Sequence, residues 1–352
     1  MGHAEAFEEL LVVYYVALGL IGIPANLFAA FVVLRRPCSL SKTTTIYLVA
    51  LAMSDTVCLA WAAGFNLSKR LWGGSESPWI YKPWCGLALV LEYGAMLCSA
   101  WIIVAFTLER YVVLFCERAR RVLARPKVAL ATVGAVVLLS YLVACGAYLL
   151  NEYMRCAAPL SEDFEAALGG DRCYVPNSTY FSTSAWVHTT ICGGVPFFLI
   201  LLFSSLIAHQ LRGTMRVKIE RDSAAFRLTQ ARARRSVGLL LTISLTAVCL
   251  GLPRFVAECI PYSVGGLDSL GYSAHPSVAA EVTVMLQWLN SGLDFCLYCL
   301  ACSAFRHQCA AMLHHSGCPT LPAKVTTLKP DTHEPEAAGE TPNNTLPARD
   351  LR

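Results

Sequence analysis

The chain has 352 residues, 56% of them apolar and only 15% charged, with a formal net charge of +4 and a mean hydropathy of +0.51. Soluble domains carry about 25% charged residues, so a water-soluble globular protein is excluded and an integral membrane protein is implied. Seven stretches are apolar and long enough to cross a bilayer, which takes about 20 helical residues: 11–34, 44–65, 86–114, 129–150, 184–207, 237–261 and 279–302. Lipid offers no partner to backbone amides, and none of these stretches alternates strictly between apolar and polar residues. The predicted fold is therefore an all-α membrane protein, a seven-transmembrane helix bundle over 11–302.

Sixteen Lys and Arg fall in the short loops of one side, from Arg35 to Lys42, Arg118 to Lys127 and Arg212 to Arg235, against five on the other. The richer side is cytoplasmic by the positive-inside rule, which puts the N-terminus outside and the C-terminus inside a multi-pass plasma-membrane protein. The positive balance is thus a topology signal and names no nucleic-acid partner. No cleavable signal peptide is visible. The outer tail 1–10 is short and acidic (Glu5, Glu8, Glu9), and the first span acts as its own targeting anchor.

In chain order, the first span carries Gly22-Ile23-Pro24-Ala25-Asn26, whose Asn suits a hydrogen bond between helices. The second carries Leu51-Ala52-Met53-Ser54-Asp55, and a carboxylate at mid-membrane must be protonated, paired or bound to a cation. The third places Cys85 at one end, Glu92 two turns further in, Ser99 deeper, and Glu109-Arg110-Tyr111 at the other end. The fourth contains no tryptophan. The fifth has a mid-span proline in Gly193-Gly194-Val195-Pro196, which frees a backbone carbonyl and bends the helix; His188 lies two turns above it. The inner loop 208–236 is basic, which suits anionic lipid and a protein partner alike. The sixth span reads Cys249-Leu250-Gly251-Leu252-Pro253-Arg254-Phe255. A buried arginine needs a partner, and Glu92 is at comparable depth. The seventh ends Asn290-Ser291-Gly292-Leu293-Asp294-Phe295-Cys296-Leu297-Tyr298. Ser303-Ala304-Phe305-Arg306 opens a short amphipathic eighth helix, 303–316, of the kind that lies on a membrane surface, with Cys309 and Cys318 as palmitoylation candidates. The tail 317–352 is polar, rich in Pro and Thr, and reads as disordered. Of the sixteen cysteines most lie in spans as small packing residues. Cys85, Cys156 and Cys173 lie at or beyond the outer ends, where oxidation is favoured. Asn177-Ser178-Thr179 fits a glycosylation acceptor.

These motifs together resemble the rhodopsin-like G-protein-coupled receptors. Glu109-Arg110-Tyr111 matches their D/E-R-Y, Leu51 to Asp55 their L-A-x-x-D, Pro196 their fifth-span proline, Leu250 to Pro253 their C-W-x-P with Gly251 in place of tryptophan, and Asp294 to Tyr298 their N-P-x-x-Y with Asp and Phe in the first two places. The resemblance implies a disulfide from Cys85 to the outer loop, Cys173 taken ahead of Cys156. It implies an activation switch of Glu109, Arg110, Tyr111, Pro253, Asp294 and Tyr298, and a heterotrimeric G protein as partner. In the family a sodium ion sits among the positions of Asp55, Ser99, Asn290, Ser291 and Asp294, and such oxygens suit a hard cation; a plain hydrogen-bonded network is the alternative. Beyond that ion the resemblance implies no cofactor. Ala233 stands where many relatives place an acid that pairs with the third-helix arginine, and Ser204 and Ala247 replace the usual tyrosine of the fifth span and phenylalanine of the sixth.

Leu91-Glu92-Tyr93, Leu252-Pro253-Arg254 and Asp294-Phe295-Cys296-Leu297-Tyr298-Cys299 narrow the resemblance to the orphan receptors that respond to tryptophan and phenylalanine, kin to FMRFamide-type peptide receptors. The implied ligand is a zwitterion with an apolar ring: Glu92 for its ammonium, Arg254 for its carboxylate, and Tyr93, His188 and Phe255 beside the ring. The alternative is that Glu92 and Arg254 pair with each other. Coupling in that group is mostly to Gq. A neuropeptide is the alternative ligand. An amine receptor would also use an acid at position 92, but would not want Arg254 beside it. An opsin needs a lysine in the seventh span, and 279–302 has none. A transporter or channel predicts internal repeats or interrupted half-helices, and neither is visible. No H-E-x-x-H or G-x-S-x-G motif supports an enzyme.

Overall fold

The computed structural model describes residues 2–35, 40–71, 84–157, 186–187, 189–217, 224–263 and 278–315. The chain divides into two compact units, Met1–Met312 and Leu313–Arg352; of the second only residues 313–315 are described. All regular structure among the described residues of the first unit is helical. Helix 1 is built from Gly2–Ala17, a π-helical turn Leu18–Gly22, and Ile23–Arg35. Helix 2 is Lys42–Leu71, helix 3 Trp84–Phe115, and helix 4 Pro126–Ala157 after a short helix Glu117–Leu123. Helix 5 is a π turn Thr190–Gly194 that leads into Val195–Val217, and helix 6 is Ala224–Ser263. Helix 7 comes in two pieces, Val278–Gly292 and Asp294–Ala301, and helix 8 is Ser303–His315.

Six of these, Glu5–Arg35, Lys42–Ser68, Gly86–Phe115, Pro126–Leu150, Thr190–Leu211 and Ser236–Cys259, are each long and apolar enough to cross a membrane. The seventh lies where the hydropathy predicts it, but it breaks at Leu293, whose N–H turns to the Asn290 carbonyl at 3.2 Å. No proline causes the break. Asn290, Ser291, Gly292 and Asp294 are all weak helix formers, glycine by about 1 kcal/mol relative to alanine. Helix 1 begins at Gly2, so the stretch 1–10 expected as an outer tail is helical from its second residue. Ala, Glu and Leu dominate there and favour helix, and Leu11 and Tyr15 anchor the next turn in the core.

The two π turns have a common cause. Pro24 and Pro196 each stand just after one. A proline donates no N–H and crowds the carbonyl four residues back; a wide turn absorbs the mismatch. Pro253, by contrast, lies inside a helix that runs on from Ala224 to Ser263.

The larger core cluster lies toward the Arg110 end, around Tyr47, Ile102, Phe106, Leu240, Tyr298 and Phe305; a smaller one holds Leu11, Tyr15, Leu59 and Trp288. The faces turned away from the bundle carry bare Leu20, Leu130, Phe198 and Leu245, an arrangement that costs nothing where the solvent is lipid. Lateral association then rests on close packing of small residues and on polar contacts. Helices 3 and 4 show this. Tyr141 and Tyr148 lay their rings on Gly94 and Gly86, where a Cβ would overlap them, and so supply the aromatic anchor in a helix 4 that lacks tryptophan.

Candidate functional site

Three polar centres lie along the bundle, one at each end and one between. At the Glu92 end, helix 3 presents Glu92 and Tyr93 and helix 6 presents Arg254, Phe255 and Glu258. Nη2 of Arg254 lies 2.6 Å from Oε1 of Glu258, with both side chains 31% exposed. Depth in the membrane sets Glu92 level with Arg254, and the structure also places Glu258 against the guanidinium, because residues four apart on a helix face each other one turn along. Phe255 stands edge-on to Phe197 of helix 5, ring centroids 6.3 Å apart at 85°. Phe255 rests on Gly193, where a Cβ would come within 2.9 Å of the ring, and Phe197 on Gly251, where a Cβ would come within 2.6 Å. Phe197 thus occupies the place that the missing sixth-span tryptophan leaves. Below it a cavity of about 60 Å³ is lined by Cys192, Phe197, Gly251, Gln287, Ser99 and Asn290, among others. His188, Cys173, Asn177 and Cys318 lie outside the described residues, as does the side chain of Cys85.

The middle centre holds Asp55 and Asp294, 1% and 3% exposed. The Ser99 hydroxyl donates to Oδ1 of Asp55 at 2.7 Å, and Asp55 also makes side-chain hydrogen bonds with Ser291 and Asp294. Two carboxylates in contact require a proton or a cation between them. Asn26 donates through Nδ2 to the Ser291 carbonyl at 2.8 Å, while its Oδ1 is buried with no hydrogen-bond partner among the described residues. Tyr298 lies with its hydroxyl 3.4 Å from the Leu48 carbonyl and 3.5 Å from Asp294. The donor set is all oxygen, carries two acids and has a spare carbonyl close by, so it fits a hard cation. Among the described residues no cluster of three His, Cys, Asp or Glu offers a metal site.

At the other end Glu109 and Arg110 are 2% and 6% exposed and form an ion pair through Oε2 and Nε. Nη2 of Arg110 also donates to Oγ1 of Thr43 at 2.7 Å, and its guanidinium stands 5.8 Å from the Phe106 ring. Thr44, next along helix 2, bonds Ser236 of helix 6 at 3.0 Å, both buried, and Ser41 joins the hydroxyls of Thr43 and Thr44 at 2.9 and 2.8 Å. The acid absent at Ala233 is therefore replaced by a chain of hydroxyls that ties helix 6 to the helix 2 segment holding Arg110. Tyr111 packs between Phe115 and Phe203. Arg306 of helix 8 donates to the Cys299 carbonyl at 2.6 Å, capping the end of helix 7. Phe305 lies against Phe295 and Tyr298, each at 5.8 Å. Cys309 is 7% exposed, which covers the thiol proposed for palmitoylation.

Sequence reasoning missed Glu258, Phe197, Thr43, Thr44 and Ser236. Glu258 was legible in principle from its i,i+4 spacing to Arg254. The others reveal themselves only through contacts between helices.

The comparisons with known proteins agree with this layout. The family model described as 7 transmembrane receptor (rhodopsin family) matches residues 25–298. A rainbow trout (Oncorhynchus mykiss) protein named C5a anaphylatoxin chemotactic receptor 1 is 24% identical over 81% of this chain and 75% of its own length. The mouse (Mus musculus) protein named "Probable G-protein coupled receptor 142" is 25% identical, over 84% and 70%. Rat (Rattus norvegicus) proteinase-activated receptor 2 is 24% identical, over 84% and 69%. With seven helices in place, a carboxylate pair between them and an acid–arginine pair at one end, the chain belongs to the rhodopsin family of seven-transmembrane receptors, multi-pass membrane proteins that signal through G proteins and are not enzymes.

Proposed function

We propose that this receptor answers an extracellular aromatic amino acid such as tryptophan or phenylalanine, with Glu92 for its ammonium and Arg254 for its carboxylate, and that it couples to Gq. The Glu92 end faces outward and the Arg110 end inward, as the Lys and Arg bias requires. The observation that carries the reading is the Arg254–Glu258 ion pair next in sequence to Phe255, whose ring stands edge-on to Phe197. A charged group finds a fixed counter-charge there and a ring finds aromatic walls. The agonist favours one of two helix arrangements by contacting them differently. In the signalling arrangement the inner end of helix 6 leaves helix 2, the Thr44–Ser236 bond opens, and Arg110 becomes available to the G protein. Calcium and cAMP responses to the two amino acids, measured in the wild type beside Glu92→Gln and Arg254→Gln, test this. Undiminished responses in both variants at equal surface level would remove the pocket.

Asp55, Ser99, Ser291, Asp294 and Asn290 would hold a sodium ion, which supplies a positive charge between the two acids and steadies the resting arrangement. Agonist affinity that ignores sodium, in the wild type and in Asp55→Asn alike, argues against that role. A peptide ligand is the second reading, favoured by the trout relative, whose name assigns it an anaphylatoxin. Loss of response on trimming the outer loop, with Glu92 and Arg254 dispensable, would select it.

A further inference from the structure

We infer that Tyr47 is a positioning residue for Arg110: it keeps the Phe106 ring against the guanidinium, and the attraction of that ring for the cation steadies the resting arrangement. This rests on the release of Arg110 proposed above and not on the identity of the ligand. The guanidinium stands over the Phe106 ring, 5.8 Å from its centroid, inside the distance of about 6 Å at which a ring face attracts a cation. Its nitrogens are engaged by Glu109 and Thr43, so the ring meets a group already held by its hydrogen bonds. Phe106 and Arg110 are both buried, and an attraction of this kind is strongest where water is excluded.

A ring on helix 3 alone could turn away from the arginine. Helix 2 holds it in place. Buried Tyr47 stacks on Phe106, centroids 5.3 Å apart and planes 18° apart, and its own hydroxyl makes a side-chain hydrogen bond with Thr132 of helix 4. The contacts are in register. Thr43 and Tyr47 lie one turn apart on helix 2, as Arg110 and Phe106 do on helix 3; Thr43 accepts from Arg110 at 2.7 Å while Tyr47 meets Phe106. In leaving Glu109, Arg110 therefore gives up a hydroxyl of helix 2 directly and an aromatic seat that helix 2 supports.

Phenylalanine at position 106 carrying no, one, two or three ring fluorines tests this in the full chain, read as ligand-free nucleotide exchange on the G protein at matched receptor density. Fluorines nearly keep the shape of the ring and draw electrons from its face. The ring then holds a cation less well but stacks better on the electron-rich ring of Tyr47, so the sign of the effect separates the two contacts. Exchange should rise stepwise, by about tenfold over the series. Tyr47→Phe should keep that slope, and Tyr47→Leu should flatten it, because the ring no longer stays against Arg110. Glu109→Gln, which loosens Arg110 without touching the ring, should raise exchange in its own right. A flat or falling series beside a responsive Glu109→Gln overturns the aromatic seat and leaves the release of Arg110 standing. A slope that survives Tyr47→Leu overturns the role of Tyr47. A flat series together with an inert Glu109→Gln overturns seat and release alike. Where exchange is too slow to read in every form, the melting temperature of the ligand-free receptor decides: it should fall with each fluorine, and a constant value overturns the seat.

Discussion

Removing the hydroxyl chain between helices 2 and 6 should raise ligand-free signalling. Thr44 and Ser236 are 0% and 2% exposed and bond at 3.0 Å. Thr44→Val keeps the side-chain shape and removes the oxygen. A buried neutral hydrogen bond is worth about 1 kcal/mol, and a hydroxyl left without a partner costs about as much again. Losing about 1–2 kcal/mol from the resting arrangement alone multiplies the active-to-resting ratio by about 5–30, so a signalling state populated at about 1% rises to about 5–25%. Ser236→Ala should act in the same direction, and the double variant should do no more than Thr44→Val alone, since the bond between the two hydroxyls is lost in either. Thr43→Val should do more, because Arg110 is charged and hydrogen bonds to charged groups are worth about 1.5–3 kcal/mol. The assay is nucleotide exchange on the G protein without ligand, at matched receptor density. Unchanged exchange in both single variants, or full additivity in the double, would refute the tether.

Gly251→Ala should lower the melting temperature, because its Cβ would meet Phe197 Cζ at 2.6 Å and overpacking costs about 1–3 kcal/mol. Phe197→Leu added to it should restore much of the loss in a thermal-shift measurement; a further drop would mean that the two side chains do not share the space. At Cys309, burial first and then neighbouring Cys299 push the thiol from 9.0 up to about 11. The folded state therefore holds this proton more tightly than the unfolded chain, so the contribution to stability is present below pH 9 and lost as pH rises through about 11. The thiolate fraction at pH 8 falls by about 100-fold relative to an unfolded cysteine. Maleimide labelling of Cys309, read out by peptide mass, should be about 100-fold slower in the native protein and climb about tenfold per pH unit; equal rates in native and unfolded protein would show that the thiol is open.

Where sequence and structure part, the physical reasons differ. Depth in the membrane sets Glu92 level with Arg254, and spacing along the helix adds a second acid that depth alone does not single out, Glu258 one turn away. The acidic charge of residues 1–10 suggests an outer tail but says nothing of its form; the same glutamates favour helix, and helix 1 runs through them. Thr44 and Ser236, 192 positions apart, belong to no local pattern at all.

Hydropathy, charge and a few short motifs determined the number of spans, their positions within a few residues, and the family, because a bilayer imposes a length and a polarity on each segment separately. The same one-dimensional reading brought Asp55 and Asp294 under suspicion, since an acid in a span is costly wherever it points. Only the tertiary structure decided that those acids touch, that Phe197 fills the space above Gly251, that helix 7 breaks at Leu293 without a proline, and that hydroxyls stand in for the missing acid near Arg110. Between helices in lipid no hydrophobic force selects the contact; shape and hydrogen bonding do, and these belong to pairs of helices and not to any one stretch of chain.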